Sequence, residues 1–117
     1  MAIGDDVAEL RERLRPQYAL YIGGMGAPGR NFYLDVVVAY GYADAAARIQ
    51  QLYLSGRKRE AAALVPDKLL EQTSLIGPAP YVKERIAAYR ESGVTILIAD
   101  PVGSDARRDL EQIRNWL

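Results

Sequence analysis

The chain has 117 residues, of which 50% are hydrophobic and 26% are charged, a balance typical of one soluble globular domain. Fifteen basic residues cancel fifteen acidic ones, so the net charge gives no reason to expect binding to nucleic acid or to an anionic membrane. Cysteine and histidine are absent, which excludes disulfides, thiolate zinc sites and His-containing catalytic triads built from this chain alone. No apolar run approaches the roughly 20 residues of a membrane span, and the first residues do not resemble a signal peptide, so a cytoplasmic protein is expected.

The first thirty residues predict one helix followed by a glycine-rich loop. Asp5 and Asp6 can cap the helix, and Pro16 is expected to end or kink it. The apolar segment 18–22 fits either a helical turn or a strand. Residues 23–29 contain four glycines and are predicted to be a loop.

Four further helical segments are predicted before residue 73. Asn31 can cap the first of them, Asp44 can cap the second, and Pro66 is expected to end the third. The predicted ranges are 32–40, 44–54, 57–65 and 67–72.

The pattern changes after residue 73 to strand, helix, strand, helix. A short strand is predicted over 74–76 and a helix over 80–92, with Gly93 as its C-terminal stop. Residues 94–99 are apolar on both faces, as expected of a buried parallel strand. A last helix starts near Ser104 or Asp105, and it aligns Ala106, Leu110, Ile113 and Leu117.

The predicted fold class is therefore α/β and predominantly helical. We expect a single domain over 1–117, with a helical excursion over 1–72 and a βαβα portion over 73–117. Two parallel strands do not make a stable sheet by themselves. Either residues 18–22 join the sheet, or copies of the chain complete each other, or the chain is a piece of a larger protein.

Three places in the sequence could carry chemistry. Residues 24–29 match the pattern G-x-G-x-x-G, with Asp44 twenty residues after the first glycine, but the flanking strands of a dinucleotide site are missing. A flexible or lid-like loop is the alternative. Arg30 and Asn31 stand at a helix N-terminus, where they could hold an anion or be a solvated arginine and an ordinary cap. Asp100 follows the strand over 94–99, at the end where α/β proteins place ligands, and it could equally be a turn residue before Pro101.

Two other features have simpler interpretations. The basic triplet 57–59 is expected to be the solvated start of a helix. Several tyrosines fall in the helical excursion, where they can be half-buried packing residues or line the pocket of a ring-shaped ligand. These tyrosines are Tyr18, Tyr21, Tyr33, Tyr40 and Tyr42.

The order of short motifs along the chain resembles the luciferase-like flavin and deazaflavin oxidoreductases. The branch that it resembles contains methylenetetrahydromethanopterin reductase and related enzymes that use coenzyme F-420. The motifs are Leu-Tyr-Ile-Gly-Gly-Met-Gly at 20–26, Asn-Phe-Tyr at 31–33, Tyr-Gly-Tyr at 40–42, Ile-Gln-Gln-Leu-Tyr-Leu-Ser-Gly at 49–56, Ala-Leu-Val-Pro-Asp at 63–67, Leu-Ile-Gly-Pro at 75–78 and Tyr-Arg-Glu-Ser-Gly-Val at 89–94.

The resemblance implies a fragment of a (β/α)₈ barrel, since a whole barrel needs roughly 250 residues. It makes 94–99 the eighth strand and 104–117 the eighth helix. The implied cofactor is coenzyme F-420 or FMN, and the implied reaction is hydride transfer between that cofactor and an organic substrate. Candidate cofactor contacts are Gly24, Gly26, Arg30, Asn31 and Asp100.

The resemblance carries over no catalytic residue and no metal ligand, because most cofactor contacts of the family come from earlier strands. The chain alone is expected to be inactive, with the missing part of a barrel or a second copy of itself as its partner. A non-catalytic helical module for self-association or binding is the alternative function.

Overall fold

A computed structural model describes all residues from 1 to 117 and is predominantly helical, with one small parallel sheet. The predicted α/β class is confirmed at this level. No helix is both long and apolar enough to cross a membrane. The elements are β1 (Ala2–Ile3), α1 (Val7–Ala19), a π-helical turn (Leu20–Gly24), α2 (Phe32–Ala39), α3 (Ala43–Leu54), α4 (Lys58–Ala63), α5 (Asp67–Thr73), β2 (Ile76–Gly77), α6 (Ala79–Glu91) and α7 (Ala106–Trp116).

The chain divides into two compact units. The strand unit contains residues 1–11 and 74–117, and the helical unit contains residues 12–73. The division falls inside α1. Each unit has its own buried residues and is described separately below.

In the helical unit, α1 runs through Pro16 to Ala19, and the π-helical turn continues it to Gly24. Of the two expectations for Pro16, that it ends the helix is therefore wrong, and that it kinks the helix stays a prediction. Leu14 and Ala19 on either side of Pro16 are buried, and this burial offsets the one backbone hydrogen bond that proline removes. Residues 18–22 are helical, and the predicted loop begins only after Gly24.

The helices after the loop have nearly the predicted bounds. Asn31 caps α2 through its side chain, as predicted. Helix α3 begins at Ala43 without a side-chain cap, so Asp44 lies in its first turn and is not the cap.

Three side chains, those of Arg15, Tyr18 and Tyr42, hold α5 and its preceding turn within the helical unit. The Arg15 guanidinium donates to the carbonyl oxygen of Val65 and pairs with Asp67. The Tyr18 hydroxyl lies 2.8 Å from Oγ1 of Thr73. The Tyr42 hydroxyl donates to Oε1 of Gln72 at 2.8 Å. Polar groups at the ends of these helices thus stabilise the packing of the short segments.

In the strand unit, β1 pairs with β2 in parallel, with Ala2 opposite Ile76 and Ile3 opposite Gly77. The amide of Ala2 donates to Leu75 O at 2.9 Å. β2 lies one to two residues later than predicted. β1 was not predicted, because two residues carry no periodicity from which a strand could be recognised.

The prediction of a buried strand over 94–99 is wrong. This segment is in neither strand nor helix, and Ile96 and Ile98 are 78% and 92% exposed. A strand needs neighbours whose amides and carbonyls pair with its own. The segment meets β1 only after Ala99, where Asp100 O and Val102 N contact the main chain of Met1.

The core of the strand unit lies among β1, β2, α6 and α7. Its buried side chains are Met1, Ile3, Leu75, Val82, Ile86 and Ile113. Helix α6 contributes Val82 and Ile86, which lie one helical turn apart on the same face. Helix α7 buries Ile113 of the predicted stripe, but Leu110 and Leu117 of that stripe are exposed, and Asp109 is buried instead.

Asp109 is a fully buried carboxylate that completes the free edge of β1. Its Oδ2 accepts from the amide of Ile3 at 3.1 Å. Its Oδ1 accepts from Nη2 of Arg108 at 2.7 Å, and the same nitrogen donates to Ile3 O at 3.1 Å. The hydrogen bond to Asp109 raises the pKa of Arg108. Both polar groups of Ile3 on this edge are thereby satisfied without a third strand.

Replacing Asp109 with alanine is expected to lower the free energy of unfolding by about 1–3 kcal/mol, because the buried amide of Ile3 loses its acceptor. Urea unfolding followed by circular dichroism measures the change. Glu111→Ala on the exposed side of α7 is the matched control, and we expect it to change stability by less than about 0.5 kcal/mol. Equal effects of the two substitutions would contradict the role of Asp109.

Candidate functional site

The five residues that the sequence predicts as cofactor contacts are divided between the two units. Gly24 ends the π-helical turn of the helical unit, and Gly26, Arg30 and Asn31 lie between that turn and the start of α2. Asp100 lies in the strand unit. Gly26, Arg30 and Asn31 therefore belong to one connection, which we call the glycine loop (residues 25–31), and Gly24 directly precedes it.

Gly24 and Gly26 are required by close packing in the helical unit. A Cβ atom at Gly24 would lie 2.5 Å from Cε1 of Tyr53, so the Tyr53 ring can rest against the π-helical turn only where no side chain intervenes. A Cβ atom at Gly26 would overlap the backbone carbonyl of Arg30. This close approach accompanies the antiparallel bridge between Ala27 and Arg30.

Asn31 joins the π-helical turn to α2 through one side chain that is 2% exposed. Its Oδ1 accepts from the amide of Leu34 at 3.1 Å, which caps α2. Its Nδ2 donates to the carbonyl oxygens of Tyr21 at 3.0 Å and Ile22 at 2.9 Å. All of its strong donor and acceptor groups are engaged within the chain, so its side chain positions the glycine loop.

Arg30 differs from its neighbours because its side chain is exposed and forms no ion pair. Its amide donates to Ala27 O at 2.9 Å, which fixes the backbone of the glycine loop. An exposed guanidinium next to a capped helix can receive a phosphate or a carboxylate. Arg30 is thus the residue of the glycine loop whose side chain is available to an anionic ligand.

The loop does not have the geometry of a dinucleotide fingerprint. That fingerprint places its glycines between a strand and a helix, with the ribose-binding acid at the end of a second strand. Here a π-helical turn precedes the loop, and Asp44 lies in the first turn of α3. The match of residues 24–29 to G-x-G-x-x-G is therefore coincidental.

Asp100 contacts the rest of the strand unit through its backbone. Its carbonyl oxygen accepts from the α-ammonium group of Met1 at 2.6 Å. Burial lowers the pKa of this ammonium group, and the charges of Asp100 and Asp109 oppose that shift. The side chain of Asp100 is exposed.

Helix α2 has an exposed apolar surface that was not predicted from the sequence. Val37 is its one buried residue, whereas Phe32 is 73% exposed. The rings of Tyr21 and Tyr33 meet edge to face at 4.6 Å, and those of Phe32 and Tyr33 at 5.6 Å. This aromatic group flanks the glycine loop in sequence and gives that region an apolar surface.

The residues present offer part of what a flavin or deazaflavin needs. Arg30 can meet an anionic group, and the aromatic residues at the start of α2 can meet an apolar one. Asn31 is committed to internal hydrogen bonds, and the α-carbons of Gly24 and Gly26 are covered. No group of three or more acidic residues in the chain is arranged to hold a metal ion.

Replacing Asn31 with alanine is expected to lower the free energy of unfolding by about 1–3 kcal/mol, since it removes a helix cap and the side-chain donor to the carbonyls of Tyr21 and Ile22. Asn31→Asp keeps the cap oxygen but sets a carboxylate against the carbonyls of Tyr21 and Ile22, so it should not restore stability. Thermal and urea unfolding measure both variants. Asn115→Ala at an exposed position of α7 is the control. An equally large loss of stability in that variant would show that the loss of the cap is not the cause.

Comparison with known proteins identifies the family of this chain. The model of the family described as luciferase-like monooxygenase matches residues 1–95. Over 110 residues the chain is 36% identical to a protein of Mycobacterium tuberculosis (strain ATCC 25618 / H37Rv) named "Putative coenzyme F420-dependent oxidoreductase". The match covers 94% of this chain and 32% of that protein, so the chain spans about a third of its relative's length. No solved structure matches significantly. The chain belongs to the luciferase-like monooxygenase family.

Proposed function

We propose that the chain is the C-terminal part of an oxidoreductase that uses coenzyme F-420 or FMN. The observation that carries this proposal is the 36% identity along 94% of the chain to a protein named for coenzyme F-420. The cofactor supplies the chemistry, which is hydride transfer to or from an organic substrate. In this proposal the whole protein acts in the cytoplasm.

The proposal includes a (β/α)₈ barrel whose last βαβα portion is residues 73–117 and whose helical excursion is residues 1–72. Support comes from the incompleteness of the strand unit. Two strands of two residues each are far fewer than the eight that close a barrel. The exposed apolar segment 94–99 follows α6 and precedes α7, which is the place of a strand in a β/α repeat. Its missing neighbours would belong to the rest of the barrel.

The same incompleteness makes the chain alone inactive in this proposal. An enzyme of this class needs a closed surface that holds the cofactor ring against the substrate. From this chain, Arg30 would contact an anionic group of the cofactor. Asn31, Gly24 and Gly26 would hold the loop that presents Arg30, and Asp100 would stand at the end of segment 94–99.

A fluorescence titration of coenzyme F-420 and of FMN against the folded chain tests the cofactor assignment. We expect weak saturable binding of one of them, weakened about tenfold by Arg30→Ala because a charge-assisted contact is lost. Arg48→Ala, which removes an exposed arginine of α3, should leave the affinity unchanged.

Unchanged affinity of the Arg30→Ala variant would remove Arg30 from the proposed site. Absence of binding by a folded chain would place the cofactor contacts outside this chain. Turnover of the cofactor by the chain alone would contradict the proposed inactivity.

A second candidate function is a non-catalytic module that associates through its helices. The exposed apolar side of α2 favours it, because Phe32, Val36 and Tyr40 are all exposed at helical spacing. In the first candidate function, by contrast, the chain would associate through segment 94–99.

Light scattering of charge variants distinguishes the two candidates. We expect the chain to associate, and we expect the double variant Ile96→Lys/Ile98→Lys to be more nearly monomeric because it places charges on the unpaired segment. The double variant Val36→Lys/Tyr40→Lys is the matched control on α2. Dissociation by the α2 variant alone would favour the helical module, and a monodisperse monomer of the unsubstituted chain would contradict both.

A further inference from the structure

A cleft of about 320 Å³ opens in the helical unit among α1, α3 and α4. Its wall is mostly apolar and includes Pro16, Ala62, Ala63 and the ring of Tyr53. Lys58 and Arg59 also line it. None of these residues belongs to the glycine loop, so the cleft is a separate feature. Its volume lies at the lower end of the range of small-molecule sites.

Tyr53 gives the cleft a fixed aromatic surface. Its ring packs against the π-helical turn, where the absence of side chains at Gly23 and Gly24 allows the contact. The ammonium group of Lys58 lies 5.3 Å from the ring centroid, close enough for a cation–π interaction. The ring and the cation are therefore held next to each other.

The charges around the cleft do not cancel. The Arg15 side chain is 12% exposed, and its guanidinium is engaged by Glu12, Asp67 and the carbonyl of Val65. Glu12, the one carboxylate in the lining, is thereby paired with Arg15 and not with the other cations of the cleft.

Two cations are left without an acidic partner. Arg57, which precedes Lys58, donates to Glu60 at 2.7 Å, and this bond lowers the pKa of that carboxyl group. Lys58 and Arg59 form no ion pair, so the cleft combines an apolar wall with two available positive charges.

We propose that this cleft binds a small aromatic carboxylate. The ring of the ligand would lie against Tyr53, Ala62 and Ala63, and its carboxylate would meet Lys58 and Arg59. An inorganic anion would use the cations but leave the apolar wall unused. An uncharged ring would fill the wall and leave the cations unpaired. This inference does not depend on the proposed oxidoreductase function.

Titration of the full chain with 1-naphthoate, followed by amide chemical shifts in NMR spectra, tests the site. We expect saturable shifts in α3 and α4, and binding of 1-naphthalenemethanol about tenfold weaker because it lacks the charge. Inorganic phosphate should compete weakly. Arg59→Glu should weaken naphthoate binding about tenfold or more, whereas Lys68→Glu, an equal charge change at an exposed position of α5, should not.

Ala63→Phe, which fills the cleft and keeps both cations, should abolish naphthoate binding and leave the circular dichroism spectrum unchanged. Equal binding of the alcohol and the carboxylate, or full affinity in either the Arg59→Glu or the Ala63→Phe variant, would overturn the proposal. Shifts confined to α2 would also overturn it, because they would show binding to the exposed aromatic residues instead. Phosphate binding as tight as naphthoate binding would show a simple anion site and would overturn the aromatic part.

Discussion

The strand unit depends on how the backbone amides and carbonyls at the open edge of β1 find hydrogen-bond partners. An edge strand exposes amides and carbonyls that would otherwise pair with another strand. Here the main chain of Met1 pairs with Asp100 and Val102, and Ile3 is satisfied by the side chains of Asp109 and Arg108. Helix α7 thereby takes the place of a neighbouring strand. Because the edge is closed in this way, segment 94–99 finds no partner and stays exposed.

In the helical unit, the corresponding constraint is the close contact between Tyr53 and the π-helical turn. Gly23 and Gly24 make this contact possible, and Asn31 fixes the loop that follows. One set of contacts therefore shapes two surfaces. On one, the glycine loop presents Arg30 beside exposed aromatic residues. On the other, the Tyr53 ring and two unpaired cations line the cleft. The glycines of this region thus serve packing within the chain.

Helices with regular apolar spacing and clear stops could be predicted from the sequence, as α2 to α6 show. The cap by Asn31 followed from the chemistry of its amide. The prediction of a strand over 94–99 failed because an apolar pattern indicates burial, whereas no strand lies beside this segment to pair with its backbone. Asp109 and the exposed side of α2 were missed for a related reason, since composition does not reveal which face of a helix meets a backbone edge. The cleft brings α1 together with the consecutive helices α3 and α4, which are distant from α1 in sequence, and no local pattern identifies it. The cofactor role of the candidate residues stays a prediction. Contacts within the chain account for the positions of Gly24, Gly26 and Asn31.

Amide hydrogen exchange on the dilute, monomeric chain tests this account most directly. The amide of Ile3, bonded to the buried Asp109, should be among the slowly exchanging amides of the strand unit, whereas those of Ile96 and Ile98 should exchange nearly as fast as in an unfolded chain. That result would establish that α7 closes the edge of β1 and that segment 94–99 lacks a partner. Slow exchange at Ile96 and Ile98 together with fast exchange at Ile3 would contradict the account, since it would mean that the segment had joined the sheet in place of the Asp109 contact.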